Sequence, residues 1–390
     1  MQKIAIVSTC SEDWGGSEEL WGRSVPILQA AGFGIAVIKY NINKHHPEFV
    51  KLAKKNVELL EIFPSKSIPQ KVVSNLVKIT NKVAIALKVS EHQGEDFSGF
   101  HKALETAKPS LVIISQGINF DGLKLAYQCA LLGIPYVVVA QKAVDFYWPQ
   151  KEDRATMLVA LQKAQKNYFV SHHNLRLTEE QFGTRLPNGM VIFNPVKLSG
   201  KVVPYPKQTA VYKLACVGRL FLLDKGQDLI IRILNEQKWR DRPVMVSFIG
   251  KGNDEAALKD MATLLGVTNV EFKGQVEDIE AMWKDYHALI LPSRSEGLPL
   301  SMVEAMSAGR MVIISNAGGN TELVEEGVNA FIGHPNEESF GDAMERAWDN
   351  RDRWEQMGKD AAAFVGANVP KSPETLFVEL IKQVTNTLIK

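Results

Sequence analysis

Two glutamates and the turn that carries them are the strongest candidates for chemistry in this sequence. Glu296 and Glu304, with seven residues between them, stand in the stretch 289–309, which reads LILPSRSEGLPLSMVEAMSAG. The apolar run predicts a buried strand, residues 293–297 a loop, and Pro299 the start of a helix. Because free N–H groups and a positive dipole end collect at a helix N-terminus, this turn suits a phosphate. We expect Glu296 to reach a ligand from the loop, and Glu304 to reach it from beneath the first turns.

The surroundings of the two glutamates favour a binding site over a pair of solvated carboxylates. An isolated pair at this spacing is most often functionless. Here Glu304 stands on a short helix between apolar strands, so we expect part of it to face protein. A second glycine-rich turn, residues 317–322 (AGGNTE), follows the next predicted strand and is expected to lead into a helix. Two such turns at one sheet edge predict a crevice for phosphate and sugar.

An arginine and a lysine follow another predicted strand of the same half. The strand 213–217 ends in Gly218-Arg219, and Lys225-Gly226 precedes a predicted helix at 227–234. By residue type alone, the plain interpretation is two surface cations beside an ordinary turn.

The motif SRSEGLPLSMVEAMSAG, followed by AGGNTELV and EGVNAFIG, resembles the donor site of the retaining GT-B glycosyltransferases, glycosyltransferase family 4. The resemblance covers most of the C-terminal half and is looser in the N-terminal half. It implies an α/β fold in which two Rossmann-like, doubly wound domains face each other across a cleft. It also implies transfer of a hexose from a nucleoside-diphosphate sugar, such as a UDP- or GDP-sugar, to an acceptor hydroxyl on a glycan, lipid or small molecule.

The resemblance also implies roles for individual residues. Arg219 and Lys225 would hold the donor diphosphate, Glu296 the sugar hydroxyls beside the reacting carbon, and Glu304 the ribose hydroxyls. The first three form the implied catalytic group, and the donor is a substrate, so no cofactor is expected. The implied donor-binding residues are Gly15, Gly16, Gly218, Gly250, Gln275, Val276, Gly297, Leu298, Pro299, Leu300 and Glu304.

The first predicted strand of the chain, residues 3–9, is also followed by a glycine-rich loop. Gly15 and Gly16 lie in the loop 11–18, ahead of a helix predicted over 19–32. Glycines allow close backbone approach to a ligand, and the family has a loop here that closes over the donor. The alternative is a plain turn with Ser17 as the helix cap.

Two glutamines stand where many family members carry a histidine near the reacting centre. Gln116 and Gln141 follow the predicted strands 111–115 and 136–140. An amide orients a hydroxyl but does not take its proton at neutral pH. Gln116, Asn119 and Gln141 are therefore the acceptor-side candidates, with Asp121 and Asp145 as nearby polar groups that sequence does not rank. This departure motivates a second hypothesis, a nucleotide-sugar-binding GT-B protein without transfer activity; a GT-B-fold epimerase is a third.

The distribution of metal-binding residue types predicts a metal-independent reaction. No two aspartates stand two positions apart, so a DxD motif is absent. The adjacent His172 and His173 lack a third ligand at zinc-like spacing. The three cysteines are scattered, which favours a reducing compartment and excludes a metal knuckle. Arg219, Lys225 and helix dipoles would take the place of the metal.

The distribution of charge and the N-terminal residues bear on the partners and the location of the protein. The net charge of +1 gives no field for nucleic acid, and the N-terminus lacks a signal-peptide pattern, so a cytoplasmic protein is expected. Residues 51–88 carry 8 lysines against 2 glutamates. This segment is either a solvated helix face or a patch that meets an anionic lipid surface or acceptor. In the second case the protein would bind peripherally to the inner face of the membrane.

A chain of 390 residues predicts two domains. We expect an acceptor-side Rossmann-like domain at 1–200 and a donor-binding domain at 201–370. The C-terminal helix at 371–390 is expected to pack back on the first domain, as the resemblance implies.

Overall fold

The protein contains two parallel sheets, each flanked by helices. The computed structural model describes residues 2–62, 96–197, 201–207 and 210–389, so the part of the basic segment from 63 to 88 lies outside the described residues. The first sheet comprises β1 (Lys3–Ser8), β2 (Gly34–Lys39), β3 (Glu58–Glu61), β4 (Leu111–Gln116), β5 (Tyr136–Ala140), β6 (Asn167–Phe169) and β7 (Gly189–Val191). The second comprises β8 (Tyr212–Val217), β9 (Val244–Ile249), β10 (Val270–Gly274), β11 (Ala288–Leu291), β12 (Met311–Ser315) and β13 (Ala330–Gly333).

The helices alternate with these strands along the chain. The first domain contributes α1 (Gly16–Ala30), α2 (Pro47–Lys54), α3 (Ser98–Ala107), α4 (Leu123–Leu131), α5 (Lys151–Lys163) and α6 (His172–Phe182). The second contributes α7 (Leu222–Lys225), α8 (Gln227–Leu234), α9 (Gln237–Arg240), α10 (Glu255–Leu265), α11 (Ile279–Met282), α12 (Leu300–Ser307), α13 (Glu337–Asp349), α14 (Trp354–Asn368) and α15 (Pro373–Ile389). In the described part of the chain no helix is both long and apolar enough to cross a membrane.

The order of the strands makes both sheets doubly wound. The first runs β3-β2-β1-β4-β5-β6-β7 and the second β10-β9-β8-β11-β12-β13, with every pairing parallel. Helices cover both faces of such a sheet, so its central strands are buried and consist of nearly continuous apolar runs. β1 and β4 are accordingly almost wholly buried. The predicted fold class is confirmed. The order reverses between β1 and β4 and between β8 and β11, where open α/β sheets bind ligands.

The last helix, α15, packs on α1 of the first domain. Its buried side chains Phe377, Val378 and Ile381 belong to the core beneath the first sheet. The ring of Phe377 lies 5.3 Å from that of Tyr168 in β6. Burying this apolar face joins the end of the chain to its beginning.

Two local predictions differ from the structure. Helix α1 begins at Gly16 rather than at residue 19, because the Glu18 side chain accepts a hydrogen bond from the Gly15 N–H at 3.0 Å. This leaves Ser17 inside the helix, where its hydroxyl donates to Glu18 instead of capping. The turn at 317–322 leads into a single 3₁₀ turn, Asn320–Leu323, and not into an α-helix.

Candidate functional site

The centre of the candidate site is an ion pair between Lys225 and Glu296. The lysine Nζ lies 2.6 Å from Oε1 of the glutamate, which also accepts a hydrogen bond from Ser293 Oγ at 2.7 Å. Lys225 ends α7, and Glu296 lies in the loop after β11. The glutamate is buried and the lysine nearly so. Two residues that the resemblance singled out, 71 positions apart in the chain, thus meet at the switch point of the second sheet.

Gly226 lets the α7–α8 corner approach the end of β11. It has a φ of +61°, and a Cβ on it would lie 2.3 Å from the carbonyl oxygen of Pro292. Only glycine fits both the conformation and the space. The close approach brings Lys225, the preceding residue, to the Glu296 loop.

Arg219 follows β8 and reaches across to the first domain. Its guanidinium pairs with the carboxylate of Glu12, in the loop after β1. It also lies 3.7 Å from Asp224 Oδ2. Because Arg219 is 52% and Glu12 38% exposed, their pair is worth little energy and is easily exchanged for another anion. Arg219 therefore stands where an incoming anion can reach it.

A second lysine, Lys142, joins this group from the first domain. It follows β5, and its Nζ lies 2.8 Å from Oδ1 of Asp224. Burial lowers the pKa of Lys142, while the hydrogen bond and charge of Asp224 oppose that shift. Sequence reasoning missed Lys142 and Asp224. The available signal was the position of Lys142 directly after Gln141, at the end of a buried strand.

The Glu296 loop touches the first domain through Gly297. A Cβ on Gly297 would lie 2.0 Å from the carbonyl oxygen of Gln141, so no larger residue fits. The Gly297 carbonyl accepts a hydrogen bond from the Gly319 N–H at 2.7 Å, which places the two predicted glycine-rich turns side by side. From the second turn, Glu322 accepts hydrogen bonds from the backbone N–H groups of His172 and His173, which open α6.

The N-terminal glycine loop reaches the same place. A Cβ built on Gly16 would lie 3.2 Å from Leu300 Cδ1, at the start of α12. Pro299 is the N-cap of that helix, and Leu298, the preceding residue, is half-buried. The structure therefore brings Gly16 of the first domain to Leu300, the residue that follows Leu298 and Pro299 in the second domain. Gly15 precedes this contact as the N-cap of α1.

The remaining donor-side candidates line the ends of β8 to β10. Gly250 has a φ of +140°, and a Cβ on it would lie 2.0 Å from the Gly218 carbonyl oxygen. The two strand ends therefore meet backbone to backbone. Gln275 and Val276 follow β10, where the glutamine is exposed and the valine half-buried. They lie on the far side of β9 from the Lys225–Glu296 pair.

Glu304 lies in α12 and is buried between the domains. Its Oε1 accepts a hydrogen bond from the Lys197 backbone N–H at 3.3 Å. Burial raises the pKa of Glu304 to about 7, against the hydrogen bond and charge of Lys197, and the charge of Glu19 raises it further. Its protonation therefore changes near neutral pH.

The acceptor-side amides are buried, and two of them make structural hydrogen bonds. Gln141 donates to the Ser17 carbonyl at 3.2 Å and accepts from Asn194 at 2.6 Å. Asn119 donates to the Tyr147 carbonyl and accepts from the Val144 N–H, so it holds an exposed aromatic turn. The turn consists of Phe146, Tyr147 and Trp148. Gln116 keeps Nε2 without a partner among the described residues.

Asp121 is the polar group beside Gln116 that sequence did not rank. Its Oδ2 accepts hydrogen bonds from the Gly117 and Ile118 N–H groups, both at 3.2 Å. Burial raises the pKa of this carboxyl to about 6, although those two hydrogen bonds oppose the shift. Oδ1 is buried without a partner in the described part of the chain. Asp121 is therefore a buried carboxyl group in the segment that follows β4.

Comparison with known proteins agrees with this architecture. Residues 204–364 match the family model described as glycosyl transferases group 1. An uncharacterized glycosyltransferase of Haemophilus influenzae is 23% identical over 337 residues, covering 85% of this chain and 86% of that protein. Protein CapJ of Staphylococcus aureus is 24% identical, covering 80% of this chain and 76% of its own.

A solved structure shows the same fold over the whole chain. HepE of Anabaena, in complex with UDP, superposes with a TM-score of 0.74 at 16% identity, covering 98% of this chain and all of that one. The likeness shows that the two domains form a GT-B fold, as predicted.

Proposed function

We propose that this protein is a retaining, metal-independent glycosyltransferase that moves a hexose from a nucleoside-diphosphate sugar to an acceptor hydroxyl. The observation that carries the proposal is the Lys225–Glu296 pair at the switch point of the second sheet, with Arg219 beside it. All three residues lie within the range 204–364 that matches the glycosyl transferases group 1 model. The UDP complex of HepE supports a uridine donor, and a GDP-sugar remains the alternative.

The cations act on the leaving group. When the bond between the sugar and the diphosphate breaks, negative charge grows on the phosphate oxygens. Arg219 can hold two of these oxygens with its planar fork, and Lys225 adds a compact charge. Because the charge is greatest at the transition state, both residues stabilise it more than the bound donor.

Glu296 acts on the sugar. In the proposed complex, one carboxylate oxygen stays with Lys225 and Ser293, which fixes the side chain, and the other accepts hydrogen bonds from sugar hydroxyls. A fixed negative charge near the ring favours the positive charge that develops there. Glu304, deeper in α12, would accept the ribose hydroxyls.

The acceptor is proposed to enter at the ends of β1 and β4. Gln116 has an unpartnered amide there among the described residues, which can orient a hydroxyl. Gln141 and Asn119 would shape this side through the backbone turns that they hold.

The buried, unpaired thiols of Cys129 and Cys216 support a reducing, cytoplasmic setting.

One observation favours the second candidate, a nucleotide-sugar-binding protein without transfer activity. Both hydrogen-bonding ends of the Gln141 amide are engaged by Ser17 and Asn194. A catalytic base would act at this position, but the Gln141 amide uses its donor and its acceptor in structural hydrogen bonds. A binding protein would show donor affinity without turnover.

The test is a panel of UDP- and GDP-sugars, read first by thermal shift, since a ligand that binds the folded state raises the melting temperature. The best donor is then incubated with sugar, lipid and small-molecule acceptors, and released nucleotide is measured. NMR of the product anomer reports whether configuration is kept. A thermal shift without nucleotide release from any acceptor would support the binding protein, and an inverted anomer would overturn the retaining mechanism. Lys359→Ala, which removes an exposed lysine of α14 whose ion-pair partner, Glu355, lies on the same helix, is the control variant for these assays.

A further inference from the structure

Lys142 brings a positive charge from the first domain into the candidate donor site. It directly follows Gln141, whose carbonyl oxygen is in backbone contact with Gly297. The Lys142 side chain crosses from there to Asp224 in the second domain, at 2.8 Å. Both side chains are only 14% exposed. The ammonium group is therefore held beside Asp224 at a contact between the two domains.

The charges around Lys142 are those of the donor site itself. Its electrostatic environment includes Glu296 and Lys225 as well as Asp224. Asp224 is shared, because Arg219 lies 3.7 Å from its second oxygen. One carboxylate thus serves two cations, and a third cation, Lys225, lies within the same field. Such a concentration of positive groups is suited to an anion that carries more than one charge.

We propose that Lys142 is a third cation for the diphosphate of the donor, supplied by the first domain. The inference rests on the proposed function and goes beyond it, because it makes diphosphate binding depend on both domains. A lysine has a flexible four-carbon stem, so its ammonium can turn from Asp224 to a phosphate oxygen nearby. It would then help to stabilise the departing diphosphate together with Arg219 and Lys225.

A purely structural role for Lys142 makes a different prediction. If the residue only tied the domains together through Asp224, then removing either partner would have the same effect on ligand binding. If Lys142 binds phosphate, Asp224 competes with the ligand for it. Removing the lysine then weakens binding, whereas removing the carboxylate frees two cations and leaves binding unchanged or tighter.

The experiment measures dissociation constants by calorimetry for UDP, GDP, UMP and GMP. It compares the unaltered protein with Lys142→Gln, Lys142→Arg and Asp224→Asn. The matched control is Lys124→Gln, which breaks another lysine–aspartate pair of 2.8 Å, with Asp153. We expect Lys142→Gln to weaken binding of the preferred diphosphate about tenfold, the scale of one charged hydrogen bond, and to change monophosphate binding less than about twofold. Lys142→Arg should retain most of the affinity, and Asp224→Asn all of it.

Each other outcome overturns a definite statement. Three results would overturn the proposed role of Lys142 and leave the proposed function standing. They are equal losses of affinity for diphosphate and monophosphate, no loss of affinity in Lys142→Gln, or a loss of affinity in Asp224→Asn as large as in Lys142→Gln. If the unaltered protein binds neither UDP nor GDP, the proposed function fails, and this inference fails with it. Thermal denaturation of each variant identifies a loss of affinity that comes from unfolding.

Discussion

Lys225 Nζ lies 2.6 Å from Oε1 of Glu296. The residue proposed to bind the diphosphate and the residue proposed to bind the sugar therefore form an ion pair with each other. The pair joins the turn after β8 to the turn after β11, the two strands between which the sheet order reverses. Neither residue therefore acts alone. The lysine orients the carboxylate, and the carboxylate holds the lysine charge within the site. Substituting one leaves the other nearly buried without its partner.

The first prediction is that Lys225 and Glu296 contribute to catalysis as a unit. Lys225→Ala should lower turnover by a factor on the order of 10²–10³, the scale of one lost charge-stabilising group. Glu296→Gln should lower mainly kcat, because its charge matters most as the sugar ring becomes positive. The double variant should be scarcely slower than the worse single variant. Steady-state kinetics of the four proteins test this, and losses that multiply would contradict the coupling.

The second prediction concerns Arg219. Arg219→Ala should lower turnover by a factor on the order of 10²–10³ through loss of charge stabilisation on the leaving diphosphate. Arg219→Lys should recover only part of it, since an ammonium lacks the planar fork. The comparison is Arg232→Ala, an arginine of similar exposure on α8 that pairs with Glu337 and Asp228. Turnover of Arg219→Ala at the level of Arg232→Ala would remove Arg219 from the mechanism.

The third prediction is a pH dependence of stability that comes from Glu304. Its pKa is about 7 in the folded protein, against an ordinary value of 4.5. Between these values the folded state holds a proton that the unfolded state has lost, so the free energy of unfolding falls as pH rises through this window. Above it, the cost of the buried carboxylate is fully present.

Glu304→Gln removes this titration while keeping the shape. Its melting temperature relative to the unaltered protein should therefore rise between about pH 5 and about pH 8. Thermal denaturation of both proteins at the two pH values measures it. A difference that stays constant with pH would show that Glu304 does not titrate in this range.

The fourth prediction separates Glu304 from Glu296 in catalysis. A carboxylate bonded to ribose hydroxyls, far from the breaking bond, contributes equally to the bound donor and the transition state. Glu304→Gln should thus raise the donor KM by about ten- to hundred-fold, and lower kcat less. Kinetics on variants shown to be folded decide it. If Glu304→Gln lost kcat and Glu296→Gln changed only KM, the two roles would be exchanged.

The fifth prediction is that excess EDTA leaves the rate unchanged, because in the proposed mechanism Arg219 and Lys225 take the place of a metal ion. The sequence has no DxD motif. In the portion of the chain that the structure describes, no group of three or more metal-ligating side chains occurs. Activity that disappears with EDTA and returns with Mg²⁺ or Mn²⁺ would reveal a metal site and overturn the proposal.

The sequence alone determined the fold class and the position of the two glycine-rich turns that follow β11 and β12. Short apolar runs bounded by turn residues, such as those of β4 and β11, are typical of central strands in a parallel sheet covered by helices. The glycine-rich turn at 293–297 then had to stand at a strand end. These features are local, so spacing and residue type reveal them. The roles of Arg219, Lys225, Glu296 and Glu304 came from the resemblance, and they stay predictions.

Only the tertiary structure decided which charged groups meet. Lys225 and Glu296 come together because β8 and β11 are neighbours at the point where the strand order reverses. Lys142 reaches Asp224 because Gly297 lets two domains touch through their backbones. Asn119, a candidate for the acceptor from sequence, proved to hold an exposed turn. Such pairings depend on how distant segments approach each other, and local patterns of hydrophobicity carry no record of that approach.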